Sequence, residues 1–178
     1  HTPWAKLFRR EIIADNHLCF DEKMHSSEDW LFVLNYLIHT QSLRTSSSPY
    51  YFYERGNVDG LSQNCRYFDE YFYAMEAFYN VTNAMAQVYG DGAKSIYVKS
   101  VRGYSARQCH YLYNSKESAI SKLKKLRQMR QDKHLMRLFK DSTFPWRKKI
   151  KLFHVLMSKG LLISAFIYIH IMKGKVYW

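Results

Sequence analysis

The sequence predicts a mostly helical α+β protein, and three observations carry that prediction. Apolar residues from Phe68 onward recur at helical spacing, with Phe68, Tyr71, Phe72, Met75, Phe78, Tyr79, Thr82 and Met85 on i, i+3, i+4 and i+7 positions. The first third differs, with two short strand candidates, Leu18–Asp21 and the aromatic Tyr50–Glu54, around one helical pattern. Hydrophobic content of 47% is enough for a packed core and argues against wholesale disorder.

Taken in order, Ala5–Ile13 reads as a short helix or turn carrying Lys6, Arg9 and Arg10. Ser26 or Ser27 is a suitable N-cap for a helix from about Glu28 to His39, with Leu31, Leu34, Leu37 and Ile38 on its apolar side. Ser46-Ser47-Ser48-Pro49 is a loop and Gly56–Gly60 a turn. The helix that begins near Tyr67 is closed by Gly90 and Gly92, and a second is expected over Ala93–Tyr113 with Gly103 as a weak point. Asn114 followed by Glu117 has the spacing of a capping box and opens a third helix. Its apolar side is Ile120, Leu123, Leu126 and Met129, and Phe144-Pro145-Trp146 breaks it. The final segment starts basic and turns apolar. The expected organisation is therefore 1–65 mixed, 66–145 helical and 146–178 basic then apolar.

A chain of 178 residues admits one domain, or one domain with a helical appendage. The net charge of +12 favours an anionic partner: nucleic acid, a phospholipid surface or a phosphorylated substrate. Aromatic rings, 15 Tyr and 11 Phe, line sugar pockets in some proteins, but core filling accounts for most of them. Cys19, Cys65 and Cys109 are odd in number and widely spaced with no C-x-x-C, so neither a disulfide framework nor a zinc site is indicated and reduced thiols are the simplest reading. Asn80-Val81-Thr82 matches a glycosylation sequon, but it falls inside a helix pattern. No H-E-x-x-H, G-x-G-x-x-G or G-x-x-x-x-G-K-[ST] occurs, and His39, His110, His134 and His170 fall in helix patterns as structural residues.

The chemistry-bearing feature is the carboxylate pair Glu28-Asp29 at the expected helix start, behind the basic-aromatic segment Trp4-Ala5-Lys6-Leu7-Phe8-Arg9-Arg10. A carboxylate held on a rigid element near a hydroxyl can act as a general base, and a helix N-terminus favours its charged form. Ser-Ser-Glu-Asp before an apolar run is also what an ordinary capped helix looks like, so spacing leaves both readings open. Lys6 can hold an anionic group as a point charge, or can simply be a solvated lysine beside a buried Trp4.

The order of these pieces resembles the acceptor-binding half of a family 2 glycosyltransferase with a GT-A fold. In that family a W/N-x-K-L-Y/F segment precedes a short strand, an E-D pair, a tyrosine-rich strand and an Arg…Ser segment. Here the order runs Trp4-Ala5-Lys6-Leu7-Phe8, Cys19-Phe20-Asp21-Glu22, Glu28-Asp29, Tyr50–Tyr53, then Arg55 and Ser62. The resemblance covers about the first third of the chain. It implies transfer of a sugar from a nucleotide-sugar donor to a glycan or lipid-linked acceptor with inversion, with Asp29 as base and Glu28 orienting it. It further implies that Trp4 lines the acceptor cleft, that Arg55 neutralises charge on the departing nucleotide, and that Lys6, Tyr53 and Ser62 bind acceptor or phosphate. Gln63-Asn64-Cys65-Arg66-Tyr67 approaches the family's Q-x-x-R-W loop but ends in Tyr, a departure that speaks against processive polymer synthesis.

The family's D-x-D motif, which holds a divalent metal (Mg or Mn) and the nucleotide diphosphate, is missing from this chain. The first residue is His and the chain opens at the motif, so a longer parent is expected, with the chain inactive alone. The resemblance points to bacterial polysaccharide biosynthesis at the cytoplasmic face of the inner membrane.

The alternative is a non-enzymatic basic helical module that binds an anionic membrane surface or nucleic acid. The stretch Lys116–Lys151 carries many Lys and Arg against Glu117, Asp132 and Asp141. No nucleic-acid-binding signature accompanies it, and a membrane surface fits better. The basic stretch runs into the apolar Leu161–Ile169, well short of the roughly 20 residues that span a bilayer and flanked by Lys159, Lys173, Lys175, Tyr177 and Trp178. A C-terminal helix packed on the domain is the competing reading of that segment.

Overall fold

The computed structural model describes residues 3–52, 68, 70–140 and 148–176. Among them are the helices α1 (Arg10–Asp15), α2 (Glu28–Ile38), α3 (Tyr71–Tyr89), α4 (Gly92–Asn114), α5 (Ala119–Gln131), α6 (Lys133–Lys140), α7 (Lys148–Ser158) and α8 (Leu162–Ile171). The mostly helical class is as expected. The expected strands are not seen: Leu18–Asp21 is irregular, as are Tyr50–Phe52, while Tyr53 and Glu54 lie outside the described residues. A strand needs a ladder partner, and the neighbours of Leu18–Asp21 are helices. The Phe20 ring stacks on Phe32 of α2 at 4.6 Å, and Asp21 Oδ2 accepts the Tyr73 hydroxyl of α3 at 2.6 Å.

The α3–α4 hairpin is the centre of the molecule. Its tight turn uses Gly90 at φ 70°, a conformation that favours glycine. Gly92 opens α4 rather than closing α3, and α4 runs unbroken through Gly103. Helix α2 packs on α3, while α6 and α8 contact α4, and α5 and α7 pack against α8. One contiguous core results, drawing Leu34 from α2, Tyr71, Met75 and Phe78 from α3, and Val101, Cys109 and Leu112 from α4. Leu126 and Met129 of α5, Phe153 and Met157 of α7 and Ile169 of α8 complete it. Thr82 of the sequon is inside this packing, its hydroxyl donating to Phe78 O at 2.6 Å.

The start of α5 differs from expectation. Asn114 is the last residue of α4, and the cap is Ser118, whose hydroxyl accepts the Ser121 N–H at 3.2 Å. Glu117 stands just before that cap and accepts the Ser121 hydroxyl at 2.6 Å, the Lys125 ammonium and the Tyr111 hydroxyl. These donors, Lys125 foremost, hold its carboxyl down to about 2. The helix also stops earlier than Pro145, which lies outside the described residues. Asp132 ends α5 in extended conformation and caps α6 by accepting the Leu135 N–H at 2.6 Å.

The C-terminal segment is two helices joined by Gly160 at φ 74°. Leu161 N–H reaches Leu156 O at 2.9 Å and Gly160 N–H reaches Met157 O at 3.1 Å, a Schellman end to α7. Arg130 of α5 adds its Nε–H to Met157 O at 3.0 Å. Gly174, at φ 71°, lies against α4 so closely that a Cβ there would stand 2.9 Å from His110 Cα and 3.0 Å from Tyr113 Cβ. Among the described residues no helix is long and apolar enough to cross a membrane.

Candidate active site at the start of helix α2

The Glu28-Asp29 pair occupies the first turn of α2, where the sequence places it, and both residues are partly exposed. The expected serine cap is not made. Ser27 is the N-cap residue, but its backbone is left-handed (φ 66°, ψ 16°) rather than extended, so its side chain makes no capping bond. Asp29 does that work from within the turn, its Oδ1 accepting the Trp30 N–H at 2.6 Å.

The two serine hydroxyls turn instead to α4. Arg107 Nη1 donates to Ser26 Oγ at 2.6 Å and to Ser27 Oγ at 2.5 Å. The Tyr104 hydroxyl donates to Ser26 O, and the Arg107 guanidinium lies 5.3 Å from the centre of the Tyr104 ring. Burial pushes the Tyr104 phenol well up, so it remains a donor at neutral pH. Arg107 and Tyr104 thus pin the segment that enters α2, and with it the carboxylate pair. A left-handed serine costs on the order of 1 kcal/mol and persists where such surroundings over-determine it.

A second clamp holds the chain just before the serines. Glu70, 10% exposed, accepts the His25 N–H at 2.8 Å and meets His25 Nδ1 at 2.5 Å. The hydrogen bond to Asp21 pushes the Tyr73 phenol up. Five groups here, His25, Glu70, Tyr73, Tyr104 and Arg107, were not legible as site residues in the sequence. Each pairs with a residue 45 to 81 positions away, and no local spacing signals that.

The N-terminal segment reaches the same helix by packing. Phe8 meets Phe32 edge-on at 5.6 Å and Tyr36 at 4.9 Å, and the Arg9 N–H donates to the Tyr36 hydroxyl at 2.8 Å. Asp29, Phe32 and Tyr36 share one stripe of α2 by their i, i+3, i+7 spacing. Trp4 is 48% exposed and stacks on Tyr51 at 6.5 Å, while the exposed Lys6 donates from Nζ to Trp4 O at 3.4 Å. Tyr53, Arg55 and Ser62 lie outside the described residues.

An open apolar groove of about 380 Å³ lies at the other end of α2, lined by Leu37, Leu43, Met85, Tyr89, Ala93 and Ile96. Eight residues, or about 12 Å of helix, separate Asp29 from Leu37. Among the described residues no three His, Cys, Asp or Glu side chains gather to hold a metal ion. No family model, curated protein or solved structure matches the chain.

Proposed function

We propose that the chain is the acceptor-side part of an inverting glycosyltransferase that uses a nucleotide-sugar donor and a glycan or lipid-linked acceptor. Asp29 is the general base: it takes the acceptor hydroxyl proton as that oxygen attacks the anomeric carbon. A new carbon–oxygen bond forms on the opposite face, the bond to the donor phosphate breaks, and the nucleotide diphosphate leaves. Glu28 orients the base, and Trp4 and Lys6 stand on the acceptor side. The longer protein supplies the donor half and the D-x-D carboxylates for Mg or Mn.

The observation that carries this reading is the placement of Asp29. It sits in the first turn of a packed helix, partly exposed, behind a chain entry clamped by Arg107, Tyr104 and Glu70. Rigid placement of one carboxylate is what base catalysis needs. The irregular Leu18–Asp21 departs from the family's short strand, so the reading rests on the ordered motifs and on Asp29 rather than on a sheet. The test is sugar transfer by the longer protein to its extracted glycan and lipid fractions, across a panel of labelled nucleotide sugars. Transfer that needs Asp29 supports the proposal, and a folded protein that transfers no sugar from any donor contradicts it.

A further inference from the structure

Helix α8 is bound to the core by one face and leaves an aliphatic stripe on the other. Ala165 and Ile169 are fully buried, whereas Ile163, Ile167 and Ile171 are 66%, 53% and 70% exposed. The four-residue spacing of the three isoleucines keeps them on one face, along about 12 Å of helix. Exposed lysines bracket the stripe in sequence: Lys159 before it, Lys173 and Lys175 after it. No Asp or Glu follows Asp141, so the segment 142–178 carries seven Lys and Arg residues (Arg147, Lys148, Lys149, Lys151, Lys159, Lys173, Lys175) and no acidic residue.

We infer that this face of α8 docks on an anionic phospholipid surface, with Ile163, Ile167 and Ile171 entering the headgroup–acyl boundary and Lys159, Lys173 and Lys175 pairing with lipid phosphates. The inference stands apart from the glycosyl-transfer reading. A helix of ten residues is too short to span a bilayer but suits the interface plane. Three aliphatic side chains are far less than the roughly 1,600 Å² that a stable protein–protein interface buries. The exposed lysines that bracket them in sequence suit an acidic leaflet, where lysines near the surface each add attraction. Docking needs no unfolding, because α8 already presents the stripe while its inner face stays packed.

The test is flotation of the 178-residue chain with vesicles of phosphatidylcholine alone, or of phosphatidylcholine and phosphatidylglycerol in a three-to-one mixture. The chain is expected to float with the anionic vesicles and to be released as salt shortens the screening length. The triple variant I163S/I167S/I171S should lose at least about tenfold in vesicle partition while its thermal unfolding stays near that of the parent sequence. The double variant K173E/K175E should lose the preference for anionic lipid. Equal binding to neutral vesicles, no binding to anionic ones, or unchanged partition of the triple variant overturns the inference. So does a dimer in sedimentation that the triple variant abolishes, which would assign the stripe to a second copy. Retarded nucleic acid with no vesicle binding overturns it as well.

Discussion

Replacing Arg107 by alanine removes the guanidinium link between α4 and the chain entering α2, leaving the Tyr104 hydroxyl on Ser26 O, and the structure sets the size of the effect. One guanidinium nitrogen serves both Ser26 Oγ and Ser27 Oγ, at 2.6 and 2.5 Å. A hydrogen bond from a charged donor contributes about 1.5 kcal/mol at the low end of its range, which suits a partly exposed arginine. Sharing one nitrogen keeps the second bond below the first. The contact with the Tyr104 ring adds about 0.5 kcal/mol. Release of the left-handed Ser27 returns about 1 kcal/mol. The expected loss is therefore about 2 kcal/mol, local to the start of α2, or roughly a thirtyfold rise in local opening. Amide hydrogen exchange at Asp29, Trp30 and Leu31 reads it directly, with amides of α5 and α7 as controls. A double-mutant cycle with S26A/S27A should give coupling of about 1 kcal/mol or more. A loss under about 0.5 kcal/mol, or exchange unchanged at those amides, refutes the clamp.

Other outcomes follow from the packing and the buried groups. Gly174→Ala combines a left-handed backbone at φ 71° with a Cβ at 2.9 Å from His110 Cα, and should cost about 2–4 kcal/mol in denaturant unfolding. A loss under about 0.5 kcal/mol would mean that the C-terminal turn is not packed on α4 as described. His154 is buried, and burial holds its imidazole down to about 3. The unfolded chain takes that proton below about pH 6.5 while the fold does not, so stability present above pH 6.5 is lost as pH falls, by about 2 kcal/mol at pH 5. His154→Leu should remove that slope; the same slope in the variant would assign the acid sensitivity elsewhere. Cys19 is exposed, whereas Cys109 is fully buried with its thiol pushed up by desolvation. Iodoacetamide with peptide mapping should modify Cys19 in the native protein and Cys109 only on unfolding.

What the sequence revealed depended on how local the determinant was. Helices α2 and α3 follow from apolar periodicity, and their core residues Leu34, Met75 and Phe78 lie on the predicted faces. The short aromatic runs misled, because period and composition alone do not tell a strand from an irregular segment whose rings pack on a helix; Phe20 on Phe32 is such a case. Asp132 cuts a run of good helix formers, and periodicity does not register a cap in the middle of a helical pattern. At the site the position of Asp29 was legible, but its surroundings were not. Arg107 meets Ser27 across 80 residues, and a left-handed serine leaves no mark in composition.

In the proposed reaction Asp29 removes a proton from an acceptor hydroxyl. The most direct measurement is the turnover of Asp29→Asn in the longer protein, with folding checked by circular dichroism and donor binding measured separately. A general base at Asp29 requires a fall in kcat of about 10²–10⁴-fold with donor affinity retained. Near-normal turnover in a folded Asp29→Asn protein would contradict it, leaving the carboxylate as the helix cap that its bond to the Trp30 N–H already makes it.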